Sequence, residues 1–72
     1  MNRTEYLNSS KQRANEYLDM GFIKLAWQSF SSDLIKHDEL INHPGLGIGV
    51  QKLILGHLAT ESGMRKFIND FS

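Results

Sequence analysis

The stretch from Pro44 to Leu58 does most to limit what this chain can become. Apart from Gln51, Lys52 and His57, every residue in it is apolar or small. With helical spacing near 100° per residue, Leu46, Val50, Leu53 and His57 form one stripe, Ile54 and Leu58 a second, and Ile48, Leu55 and Ala59 a third. Gly45, Gly49 and Gly56 form a fourth, interrupted by Lys52. A helix that is apolar all round is expected to be buried on most sides. Pro44 suits its first turn, where the missing N–H goes unpaired anyway. Glycine costs about 1 kcal/mol relative to alanine inside a helix. Three glycines on one stripe therefore point to close approach by another helix backbone. The alternative is that Gly45–Gly49 is a loop and the helix begins near Val50.

The remainder of the 72 residues must cover that segment. Helix 1 is expected from about Thr4 to Met20, with Leu7, Lys11, Ala14 and Leu18 on one stripe and Tyr6 and Tyr17 beside it. Gly21 is placed to end it in the left-handed conformation. Helix 2 follows from near Phe22 to about His37, with Ile23, Ala26, Trp27, Phe30 and Leu34 on its apolar face. So short a link forces an antiparallel hairpin. Asp38–His43 reads as a loop or short turn from which Leu40 and Ile41 plug the core. Thr60 caps helix 4, Glu61 favours its first turn, and Met64, Phe67, Ile68 and Phe71 form its apolar face. The expected fold is a single all-α domain over residues 1–72, a bundle of about four helices with the glycine-containing helix 3 at its centre. Three helices cannot easily enclose such a fourth, so either the Leu40–Ile41 loop or a second copy of the chain covers the rest, and a symmetric homodimer is the expectation.

Composition narrows function more than it identifies it. Eight Lys plus Arg balance eight Asp plus Glu, which argues against binding nucleic acid or anionic membrane by bulk charge. The chain has no cysteine, so disulfides and thiolate metal sites are excluded. No apolar run reaches the ~18 residues of a membrane span. Residues 1–5 lack the apolar core of a signal peptide, and a cytoplasmic protein is expected.

Catalytic constellations are weak. Asp33 and His37 have i, i+4 spacing, but His43 and His57 lie too far along the chain to complete a metal site readily. Ser29, Ser31 and Ser32 sit near Asp33 and His37 on one short helix, where a nucleophilic triad rarely converges. No catalytic residue, metal or cofactor is expected. The Gly45–Gly49 run lacks the Lys-Ser/Thr of a phosphate loop, although its backbone N–H groups could receive a small anion. Leu53–Asp70 can be laid on a helix-turn-helix template, with Arg65 and Lys66 as nucleic-acid contacts. Glu61 and Asp70 frame that helix and leave it little basic surface. Tyr6, Tyr17 and Phe22 read as core or as the aromatic rim of an interface. Together with Gly45, Gly49, Lys52 and Gly56 they are the candidate contacts for a partner or for self-association.

Several segments carry a resemblance: Glu16-Tyr17-Leu18-Asp19-Met20-Gly21, Ala26-Trp27-Gln28-Ser29-Phe30, Ser32-Asp33-Leu34, Lys36-His37, His43-Pro44, Gly56-His57-Leu58-Ala59-Thr60, Met64-Arg65-Lys66-Phe67-Ile68 and Phe71. Over roughly residues 16–71 this pattern resembles small helical proteins of bacteriophages and prophages. Phe22 stands where that pattern commonly has a small polar residue. The resemblance carries no catalytic motif. It implies only a phage-type accessory protein made in the bacterial cytoplasm. The missing catalytic constellation and the surplus of apolar surface lead to the expected function, stoichiometric docking on a host or phage protein, for example to inhibit a defence or metabolic enzyme. Tyr17–Trp27 is also similar to a tetratricopeptide-type hairpin, a generic unit when single.

Overall fold

The computed structural model describes residues 2–56, 58 and 60–72. His57 and Ala59, which the helical stripes above include, lie outside the described residues. Four helices follow in order, and the described residues form no strand: α1 Arg3–Asp19, α2 Ile23–Ile35, α3 Pro44–Ile54 and α4 Glu61–Asn69.

Helix α1 begins one residue earlier than Thr4 because Asn2 caps it. The Asn2 side chain accepts from the Glu5 N–H at 2.8 Å, and its amide donates back to the Glu5 carboxylate at 3.1 Å, satisfying an N-terminal donor that the helix leaves open. The helix buries Leu7, Ser10, Ala14 and Leu18. Ser10 is tolerated inside because its hydroxyl donates to the Tyr6 carbonyl at 3.0 Å. Gly21, at φ 83°, ends the helix. Its N–H donates to Leu18 and the Phe22 N–H to Tyr17, the paired bonds that a left-handed glycine permits.

The tight link folds α2 antiparallel onto α1. Tyr6 Oη donates to the Asp33 carbonyl at 2.6 Å, and Arg13 pairs with the Asp33 carboxylate at 2.7 Å. Helix α4 runs back along α1. Arg65 meets Asn15 and Asp19, and Asn15 meets Asn69 at 2.9 Å. Lys11 donates to the Asn69 and Phe71 carbonyls. Ala14, Leu18, Ala26, Phe30, Leu34, Met64 and Ile68 fill the space between these three helices. Leu40 plugs the core from the 36–43 loop as expected, but Ile41 is turned out and half exposed.

Helix α3 departs most from expectation. It is not the buried centre of the bundle but an outer helix, and Gly49 is its one buried residue. It also ends at Ile54 rather than Leu58, because Gly56 adopts φ 80° just beyond the Leu55 C-cap. Gly56 therefore terminates the helix and does not extend the glycine stripe.

The inward face of α3 is its bare face. A Cβ on Gly45 would stand 2.7 Å from Phe71 Cζ, and one on Gly49 2.7 Å from Trp27 Cζ2. The close approach expected of a helix backbone is made by aromatic rings. Trp27, Phe30, Phe67 and Phe71 form one cluster, with Phe71 edge-on to Phe30 at 4.9 Å and to Phe67 at 5.2 Å. Leu46 and Leu53 flank the glycines and pack partly buried against the core, while Ile48, Val50 and Ile54 point to water.

Candidate functional site

Where α2 begins and α3 ends, the chain leaves an apolar groove of about 750 Å³, open to solvent. Phe22, Ile23, Leu25, Leu53 and Leu58 line it, with Gly21 at the bend and Lys24 on its margin. The left-handed turn at Gly21 creates the site. It reverses the chain so sharply that Phe22 becomes the N-cap of α2, at φ −96° and ψ 74°, with its ring outside the bundle. Phe22 is 50% exposed and Leu25 44%. Leu25 lies off the Ile23, Ala26, Trp27, Phe30 stripe that faces the core, so it has no place inside.

The other residues marked by the sequence fall elsewhere. Tyr6 points inward, with its ring 4.7 Å from that of His37. Tyr17 packs half-buried against the core near Met20 and Ser29. Gly45 and Gly49 lie beneath Phe71 and Trp27. Lys52 extends over the Phe67 ring, with Nζ 5.2 Å from its centre, a favourable cation–π placement. Of the seven expected contact residues, Phe22 alone lines the groove. Leu25, Leu53 and Leu58 are groove residues outside that set. Leu25 is legible in the sequence as the off-phase apolar residue of α2, whereas Leu53 and Leu58 belong to the segment expected to be buried.

Of the residues considered for chemistry, Ser31, Asp33, His37 and His43 are engaged in holding the fold. The Ser31 hydroxyl donates to the Trp27 carbonyl at 2.8 Å, Asp33 is taken by Arg13, and His37 Nδ1 accepts from the Glu39 N–H at 3.1 Å. No three His, Cys, Asp or Glu among the described residues could hold a metal ion together. His43 caps α3. Its Nδ1 accepts from the Gly45 N–H at 2.9 Å, and its carbonyl accepts from Leu46 at 3.1 Å. With Nδ1 as acceptor, Nε2 carries the proton and donates to the Ser72 backbone oxygen at 3.0 Å. The α3 N-terminus thus already holds its own acceptor where an anion was considered.

Arg65 lies between Asp19, at 2.8 Å, and Glu61, at 2.5 Å, and also donates to Asn15. The hydrogen bonds to Glu61 and Asp19 hold its guanidinium above the ordinary arginine value. Lys66 beside it is exposed. A guanidinium already paired to two carboxylates presents little net positive charge to a phosphate backbone. No helix among the described residues is long and apolar enough to cross a membrane.

No protein-family model, curated protein or solved structure matches this chain.

Proposed function

We propose that this chain acts without catalysis, by stoichiometric binding of a second protein in the groove between α2 and α3. The observation that carries the reading is the half-exposed pair Phe22 and Leu25 on an open apolar cavity of about 750 Å³. Aromatic anchors beside a concave apolar surface dominate protein–protein binding energies. Among the described residues Lys24 takes part in none of the ion pairs. The occupant is therefore a partner segment that inserts an apolar side chain between Phe22 and Leu53 and sets a carboxylate against Lys24. The resemblance to phage and prophage proteins supports a bacterial host protein as partner, bound and inhibited in the host cytoplasm.

The test is capture from bacterial host lysate by N-terminally tagged protein, beside the Phe22→Ser, Leu25→Ser double variant. One protein held at a one-to-one ratio by the wild type and lost by the helical double variant is the expected result. Equal recovery by both, or nothing near stoichiometric on the wild type, refutes the reading.

A further inference from the structure

Helix α3 carries a second apolar surface, separate from the groove. Gly47, Val50, Gln51 and Ile54 are spaced i, i+3, i+4 and i+7 and share one face. All four are exposed, and Gly45 and Gly49 lie on the opposite side against Phe71 and Trp27. Ile48 and the C-cap residue Leu55 flank this face. Exposure is 47% for Ile48, 48% for Val50, 78% for Ile54 and 68% for Leu55. Between Glu39 and Glu61 the sequence has a single Asp, Glu, Lys or Arg, which is Lys52. Its ammonium lies over Phe67 of α4, away from this face.

We infer that this face is the two-fold contact of a homodimer, in which α3 of one protomer lies antiparallel across α3 of a second copy. Area is the first reason. Ile48, Val50, Ile54 and Leu55 together leave roughly 400 Å² of apolar surface in water, comparable to the largest patch on a typical monomer, which is often functional. A stable interface takes about 800 Å² per partner, about 65% of it apolar in homodimers. These four side chains therefore supply most of the apolar part from one helix. Charge is the second reason. A two-fold axis sets each patch against itself, so a charged residue at its centre would meet its like. A charge-free face fits its own copy and offers no ionic pairing to a charged partner. Gly47 agrees with both. A Cβ there would meet nothing within 4 Å, so nothing in this protomer requires the position bare, whereas a helix crossing over it would.

The inference is independent of the partner proposed for the groove, and the experiment separates the two. The full chain is weighed by sedimentation equilibrium and native mass spectrometry at about 0.1 mM, a concentration that populates even a micromolar dimer. The expected mass is twice the chain's 8.2 kDa. Ile54→Glu sets carboxylates face to face across the axis and weakens the dimer about 100-fold. Gly47→Leu weakens it about tenfold by blocking the helix crossing. Both positions are exposed, so circular dichroism stays unchanged. Phe22→Ser leaves the dimer intact. A monomer at this concentration, or a dimer that tolerates both Ile54→Glu and Gly47→Leu, overturns the inference. So does a monomer that binds a different protein through Ile54.

Discussion

Alanine at Gly49 adds one methyl group where the fold has no room for it. The new Cβ would stand 2.7 Å from Trp27 Cζ2 and 3.0 Å from Phe67 Cε2, whereas carbon atoms rest about 3.5–4.0 Å apart. Trp27 cannot withdraw, because Phe30, Phe67 and Phe71 surround it and it is 5% exposed. Helix α3 must lift instead. Overpacking of this kind costs about 1–3 kcal/mol, and alanine returns about 1 kcal/mol of helix propensity. The expected net loss is about 1 kcal/mol. Gly47→Ala on the opposite face meets nothing within 4 Å and should gain about 0.5–1 kcal/mol. The same chemical change two residues apart thus has opposite signs. Urea unfolding followed by circular dichroism reads both, because Gly49→Ala would alter Trp27 fluorescence directly. The Ile54→Glu background removes self-association from the comparison. With a slope near 1 kcal/mol per M, the two midpoints should separate by about 2 M. A Gly49→Ala midpoint at or above that of the parent would refute the packing argument.

Gly21→Ala and Gly56→Ala should each lower stability by about 1–2 kcal/mol through backbone strain alone, since neither would clash; thermal melts check this. Lys11→Met keeps the aliphatic stem but loses the bonds to the Asn69 and Phe71 carbonyls, at a cost of about 1–2 kcal/mol by urea titration. Burial pulls the Lys11 ammonium below the ordinary value of 10.5, with Asp70 acting the other way. The folded chain therefore releases this proton before the unfolded chain does. Its unfavourable contribution is complete at neutral pH and fades as pH rises towards 10.5. Relative to Lys11→Met, the wild type should gain stability over that alkaline range, and paired urea curves at several pH values measure the gain. Arg65→Ala should lower the melting temperature slightly, less so in high salt, and wild-type protein should give no gel shift with duplex DNA even at low salt.

Much of the frame was readable because local chemistry decided it. Gly21 is needed where a left-handed residue closes α1, Thr60 accepts from the Gly63 N–H at 3.1 Å to start α4, and Pro44 stands in the first turn of α3. Ala26, Trp27, Phe30 and Leu34 of the α2 stripe and Met64, Ile68 and Phe71 are buried as their spacing requires, while Ile23 and Phe67 are partly buried. The placement of α3 was not readable, for a physical reason. Periodicity shows which residues share a face, and hydropathy then takes the most apolar face as the buried one. In α3 the most covered position is Gly49, with Leu46 and Leu53 only partly buried beside it, and glycine contributes almost no side chain to that reckoning. Its burial follows from the flat rings of Trp27 and Phe71, which lie distant in sequence. The same inversion hid the exposed Ile54 and Leu55. The groove was half legible: Phe22 stood out beside Gly21, whereas its neighbours Leu53 and Leu58 come from the far side of the α2–α3 connection.

The contact between Trp27 and Gly49 also bears on how this fold can drift through substitution. The indole occupies the volume that a side chain at position 49 would need, so the two positions share one allotment of space. A chain that first acquires a larger residue at 49 loses packing, whereas one that first trims Trp27 opens a cavity that alanine or serine at 49 can refill. Substitution at the two sites should therefore proceed in order and as a pair: tryptophan with glycine, a smaller apolar residue with a small side chain opposite. Position 47 carries no such dependence within the protomer. In sequences descended from a common ancestor, correlated change at 27 and 49 would identify this packing of α3 more reliably than the hydropathy of the helix itself.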